Sequence, residues 1–155
     1  LSNRIVVADC KILIEHASHD KDAGNGPVGC VGYCMSGPFA FAAAAKISDR
    51  IKASASIHGV DLCSNAEDSP HINADKIRGE IYFACAEYDD HIKKTEIKEL
   101  EDHLKKININ YRIEWYPESK HGFVFPQRLG VYHKQSAERH WERMFAMFSR
   151  NLKLI

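Results

Sequence analysis

A cysteine, a histidine and an aspartate stand in settings that suit nucleophilic catalysis. Cys34 lies in Gly32-Tyr33-Cys34-Met35-Ser36-Gly37, between a short apolar run and an alanine-rich one. A strand that turns sharply into a helix lifts one side chain above a sheet, and small residues must flank the turn because strand and helix approach closely. A thiol in that position lies at a helix N-terminus, whose dipole favours the thiolate. The next backbone N–H, that of Met35, points to where a tetrahedral oxyanion would form. His121, in Ser119-Lys120-His121-Gly122-Phe123, is a candidate base for the thiol proton. Asp89 and Asp90 follow an apolar segment 55 and 56 residues after Cys34 and are candidates for the acid that orients the base. His103, His133 and His140 fall on helical faces and are read as ordinary surface histidines. No HExxH occurs and the nine histidines scatter, so neither a metal nor a cofactor is called for.

These residues need elements to position them. Cys10, Leu13, Ile14 and Ala17 recur at helical spacing. Ser18 to Pro27 is polar and glycine-containing and reads as a surface loop. Val28 to Tyr33 is apolar, bounded by Pro27 and Gly37, and suits a buried parallel strand. Met35 to Lys46 reads as a helix whose alanines keep it flat against a sheet, with Pro38 tolerable in its first turn. Lys52 to Ile57, Glu80 to Cys85 and Tyr111 to Tyr116 are three further strands. Asp61 to Asp75 is a long polar connection. Thr95 to Lys106 is an amphipathic helix carrying Ile97, Leu100, Leu104 and Ile107 on one stripe. A last helix runs from Lys134 to Leu152, with Ala137, Trp141, Met144, Phe145, Phe148 and Leu152 as its expected buried face. The alternation predicts an α/β fold, a parallel sheet with helices on both faces. Ligands bind such sheets beyond the carboxyl ends of the strands, which is where Cys34, His58, Asp89 and His121 fall.

Composition narrows the function classes. The 155 residues suffice for one domain with a real core. Lysine plus arginine and aspartate plus glutamate each number 21, so the formal charge is zero. That balance argues against bulk nucleic-acid binding, which needs a basic surface. No apolar run approaches the roughly 20 residues of a membrane span. Five cysteines, none at CxxC spacing, point to free thiols and a cytoplasmic setting. The chain begins Leu1-Ser2-Asn3, without methionine, and reads as cut from something longer.

The strand-end residues occur in the order nucleophile, acid, histidine, which is that of α/β-hydrolases. The elbow around Cys34, Ser56-Ile57-His58-Gly59, Asp68-Ser69-Pro70-His71, Ala86-Glu87-Tyr88-Asp89, His121-Gly122-Phe123 and the Ala137 to Arg143 helix together resemble the dienelactone hydrolase family (carboxymethylenebutenolidases). The resemblance is collinear over nearly the whole chain. It implies a three-layer α/β-hydrolase fold and a Cys-His-Asp triad acting on a small-molecule ester or lactone. It implies Cys34 as nucleophile, His121 as base, Asp89 rather than Asp90 as the orienting acid, and the Met35 amide as an oxyanion donor. Tyr33, His58 and Phe123 are expected to line the substrate site. Three departures stand beside this. Ser36 replaces an elbow glycine. Phe125 stands where well-known members carry an arginine for a substrate carboxylate, with Arg128 nearby but off register. The strands that precede the elbow in the family are not in the sequence, so residues 1–155 read as a single, N-terminally truncated domain. The Val28 to Tyr33 strand is then expected at an open edge, covered by another chain or by residues outside these 155.

A competing reading is a non-catalytic α/β module that binds a ligand. A thiol-redox protein using Cys30 and Cys34 fits less well, because their spacing does not bring both to one helix start. The expected assembly is a monomer or a homodimer.

Overall fold

The computed structural model describes residues 1–153. Four strands, β1 (Val28–Tyr33), β2 (Ile51–Ile57), β3 (Glu80–Tyr88) and β4 (Tyr111–Lys120), form one parallel sheet in the order β1-β2-β3-β4. Four helices accompany them: α1 (Asn3–Ser18), α2 (Gly37–Lys46), α3 (Lys94–Ile107) and α4 (Lys134–Asn151). Short 3-10 segments occupy Cys34–Ser36 and Pro70–Lys76, the second inside the connection expected to be irregular.

The helices have local causes. The Ser2 hydroxyl accepts the Ile5 amide at the start of α1. Pro38 sits in the first turn of α2, where its missing N–H costs nothing. Asn108 closes α3 in the left-handed region, φ 53°, and its amide meets the Leu104 and Lys105 carbonyls. The alanines of α2 are almost all buried, so the helix lies close to the strands.

The two faces of the sheet have separate cores. One holds Phe41 and the α2 alanines, Ile81, Phe83 and Cys85 of β3, and Ile97, Leu100 and Leu104 of α3, with Val7 of α1 packed alongside. The other holds Ala53, Ala55 and Ile57 of β2, Tyr82 and Ala84 of β3, Tyr116 of β4, Phe123, and Met144 and Met147 of α4. This is the expected three-layer α/β arrangement.

Two details differ from expectation. β4 runs four residues beyond Tyr116, because Pro117 lies on the outermost strand, where one row of backbone groups needs no ladder partner. α4 buries Ser136, Ala137, His140, Met144 and Met147, while Trp141 and Phe145 are 38% and 59% exposed and stack on each other at 5.3 Å. The buried stripe is rotated from the purely apolar one because His140 has polar partners inside, described below. β1 stands at the sheet edge as expected, paired only with β2 among the described residues, and Val31 is 40% exposed there.

Register decides what the strands deliver. Tyr33 lies opposite Ile57, and Ile57 opposite Ala84. The residues that follow, Cys34 and His58, therefore leave the sheet side by side. β3 continues four residues further and carries Asp89 up beside them.

Candidate active site

Cys34 occupies the turn between β1 and α2 with φ 53°, a left-handed conformation that a non-glycine residue rarely adopts. Its neighbours leave little choice. A Cβ on Gly32 would come within 1.9 Å of the Ser36 carbonyl oxygen, and one on Gly37 within 2.5 Å of the Gly59 Cα and the Ser56 Oγ. Ser36, the departure from the family pattern, fastens the turn. Its Oγ accepts the Tyr33 amide and donates to the Tyr33 carbonyl, both at 2.8 Å. The Met35 amide stands directly after Cys34 in the first turn of the 3-10 segment, and the Met35 side chain is exposed.

His121 follows β4. Its Nδ1 donates to Asp89 Oδ2 at 2.9 Å and Oδ1 at 3.1 Å, and among the described residues no hydrogen bond joins it to Asp90. Asp89 is held in turn by the His91 amide, 2.9 Å from Oδ1. Burial pushes the Asp89 carboxyl up, but the hydrogen bonds from His121 and the His91 amide outweigh it and leave the carboxyl below its ordinary range. The His121 pKa is raised, first by the hydrogen bond to Asp89, against desolvation, and further by the Cys34 sulfur. The thiol thus lies within electrostatic reach of the imidazole. His121 Nε2 is buried and makes no hydrogen bond of normal geometry among the described residues. Catalytic hydrogen bonds of this kind commonly tighten only when substrate is bound. An imidazole with a raised pKa is a stronger base toward the thiol.

The loop carrying His121 is anchored from below. Ser119 is fully buried and donates to Ser136 Oγ at 2.8 Å, and the His133 amide reaches the Phe123 carbonyl at 3.0 Å. Arg128 folds back over this loop. Its Nη1 lies 3.4 Å from the His121 carbonyl, and a Cβ on Gly122 would come within 2.0 Å of it.

The three residues expected around the substrate take different positions. Tyr33 is half-buried beside Cys34, with its ring 5.7 Å from Phe125. Phe123 has no exposed surface and stacks on Tyr116 at 5.0 Å. His58 is also fully buried, with its ring 4.7 Å from that of His121. Only Tyr33 of the three offers surface, because the other two point into the second core.

Two histidines near the site carried no usable sequence signal. His140 is fully buried on α4; its Nδ1 donates to the Ala137 carbonyl and its Nε2 accepts the Tyr33 hydroxyl at 3.4 Å. This corrects the surface role expected for it: two polar partners repay its burial. Desolvation lowers its pKa, against the hydrogen bond to Ala137, and so favours the neutral ring. His91 packs on His121 at 4.5 Å. His103 and His133 are half-buried; the first packs on His71, and the second bonds Ser136 Oγ at 2.7 Å.

Comparison with known proteins agrees with the fold. The sequence profile of the dienelactone hydrolase family matches residues 2–152. A protein of Synechocystis sp. named "Putative carboxymethylenebutenolidase" is 26% identical over 155 residues, covering 98% of this chain and 62% of the relative. A crystal structure described as a "Putative Dienelactone Hydrolase" from Klebsiella pneumoniae superposes with a TM-score of 0.85 at 24% identity, over 96% of this chain and 62% of the other. A dienelactone hydrolase-like promiscuous phosphotriesterase from metagenomic libraries superposes at 0.77 with 16% identity, over 96% and 62%. These structures share the fold, and the chain spans about three fifths of the length of each protein.

Proposed function

Because this chain belongs to the dienelactone hydrolase family, we propose that it carries the catalytic triad of a hydrolase that cleaves a small ester or lactone. Cys34 is the nucleophile, His121 the base and Asp89 the orienting acid. The observation that carries this reading is the Asp89–His121 pair, closed at 2.9 Å, with Cys34 acting on the same imidazole from a strained turn. Residues from three strand ends converge there, which a packing role alone does not require.

The steps follow from the geometry. His121 takes the thiol proton, and Cys34 sulfur attacks the carbonyl carbon. The Met35 amide donates to the oxyanion, an interaction typically worth about 2.7–4 kcal/mol. The C–O bond breaks, the leaving oxygen takes the proton back from His121, and a thioester remains on Cys34. His121 then deprotonates a water that attacks the thioester, and the carboxylic acid leaves as the thiol is restored. Asp89 keeps Nδ1 protonated throughout, so that Nε2 is the nitrogen that exchanges protons. Tyr33 contacts the substrate, with His58 and Phe123 forming the wall behind it. Phe125 beside Tyr33 favours a neutral ester over a carboxylate-bearing one.

The five thiols are free, which supports a reducing, cytoplasmic setting. Among the described residues no helix is long and apolar enough to cross a membrane. The protein works as a monomer or a homodimer, which sedimentation velocity distinguishes.

The deciding experiment uses protein expressed from the complete reading frame. Wild type hydrolyses p-nitrophenyl acetate, and Cys34→Ala lowers kcat/KM by about 10³-fold or more. Full activity in Cys34→Ala would overturn the mechanism.

A further inference from the structure

His58 is expensive to keep. It follows β2 with φ 40°, in a region that is strained for a non-glycine residue. Its ring is completely buried, and neither Nδ1 nor Nε2 has a hydrogen-bond partner among the described residues. A buried polar atom without a partner destabilises the fold. A phenylalanine would fill the space without those orphaned nitrogens. The surroundings are otherwise suited to one: Tyr33, Phe123 and Phe125 ring it at 5.7–6.0 Å. Unpaired buried polar groups of this kind call for a specific account, and functional sites are where they collect.

One polar neighbour stands out. The His121 ring lies 4.7 Å away at 61°, an edge-to-face contact. We propose that His58 is a positioning residue for His121: its polar, uncharged ring orients the base toward Cys34 and favours the imidazolium that forms when the thiol gives up its proton. The proposal rests on the reading of Cys34 and His121 above and extends it to the imidazole packed against the base.

Charge bookkeeping supports this division of labour. Two imidazoles in contact do not readily carry protons together. Asp89 supports the proton on His121 through a direct hydrogen bond. His58 has no carboxylate hydrogen-bonded to it among the described residues; burial first, then the His121 charge, drive its pKa down to about 3, against a contact with its own backbone that raises it. Asp89 from the end of β3 opposes that shift, and His140 from α4 reinforces it. The Tyr33 hydroxyl, from the end of β1, is directed at His140. His91, on the loop after β3, packs on His121. Across the working range His58 is therefore a dipole beside the base and not a rival for its proton.

The test reads the thiol–imidazole couple directly, as the pH dependence of Cys34 alkylation by iodoacetamide, resolved by mass spectrometry at that cysteine. In His58→Phe, which keeps the ring and loses the nitrogens, the rising limb moves to higher pH by about 0.5 unit or more. The same variant loses about tenfold in kcat on p-nitrophenyl acetate with KM within about twofold, the pattern of a group acting on the base alone. His58→Asn, which tolerates positive φ and restores a polar amide, recovers part of both losses. A wild-type limb and kcat in His58→Phe would overturn the proposal. A measurement on the unmutated protein guards against misfolding: histidine ¹⁵N NMR should show the His58 ring neutral from about pH 8 to 5, and protonation of that ring in this window would equally overturn it. Alkylation and NMR need no ester turnover, so loss of the hydrolase reading and loss of this one are separate results.

Discussion

Around Glu114 every buried polar group has a partner, whereas around His121 several do not. Glu114, 8% exposed on β4, accepts from Arg139 at 2.7 Å, from Arg143 at 3.2 Å and from the Tyr82 hydroxyl at 3.3 Å, and Arg112 lies 3.4 Å away. Tyr82 and Tyr116 share a hydrogen bond beneath it, and burial pushes the Tyr116 hydroxyl up to about 12. At the carboxyl end of the same sheet, Ser56 Oγ, both nitrogens of His58 and His121 Nε2 are buried without partners among the described residues. Cys34, His58 and Asp61 there all have positive φ. Both clusters sit in the same fold, so the contrast is not one of crowding or depth. Saturated groups hold still and rigidify their surroundings. Groups left open and backbones held under strain keep capacity for a reacting molecule, and the rest of the fold must carry their cost.

The contrast is breakable by mutation. The largest expected effect is at the open cluster. Asp89→Asn should lower kcat on p-nitrophenyl acetate by about 10²–10⁴-fold, because the amide no longer enforces the Nδ1–H tautomer of His121. The same change should lower the His121 pKa, since the hydrogen bond that raises it is weakened. A histidine ¹⁵N NMR titration would see the imidazolium appear only at lower pH than in wild type. An unshifted titration would mean that Asp89 does not support the base.

At the saturated cluster the currency is stability. Glu114→Gln should destabilise the fold by about 1–3 kcal/mol in urea denaturation, as two arginines lose a charged acceptor. Its kcat should stay within about twofold of wild type. A variant with full stability and lost activity would erase the distinction between the clusters.

The smallest effect concerns Glu80, which Arg150 and Asn151 tie to the end of α4. The Arg150 hydrogen bond, opposed by burial, holds the Glu80 carboxyl below its ordinary pKa. A depressed carboxylate adds stability above its unfolded pKa and loses it as pH falls through the folded one. Arg150→Ala should therefore cost about 1 kcal/mol near pH 7, small because the guanidinium is half-exposed and screened. The gap from wild type should close as the pH is lowered past both carboxylate values. A gap that widens in acid would have the wrong sign.

Where sequence and structure part company, the reasons are local and particular. β1 matches its expected span because Pro27 and the glycine-flanked elbow bound it on both sides. β4 outran its expected end because proline is disallowed only where an amide must pair, and an outermost strand relaxes that demand. The face of α4 was misjudged because hydrophobicity ranks Trp141 and Phe145 above a histidine. The Ala137 carbonyl and the Tyr33 hydroxyl make His140 the better buried group. His58 was legible as a strand-end residue near the chemistry, but its burial was not.

The elbow was determined by the sequence itself. Its requirements are contiguous: small residues at Gly32 and Gly37, a cysteine between them, and an amide after it. Strand alternation and the order of cysteine, acid and histidine were likewise readable along one dimension. Only the tertiary structure closed the hydrogen bond between Asp89 and His121 that the resemblance implied, and only it decided that Ser36 stands in for a glycine by binding Tyr33 at both backbone groups and that two further imidazoles lie against His121. Those outcomes depend on register between strands far apart in the chain and on which polar atoms find partners once water is excluded. A linear string carries neither.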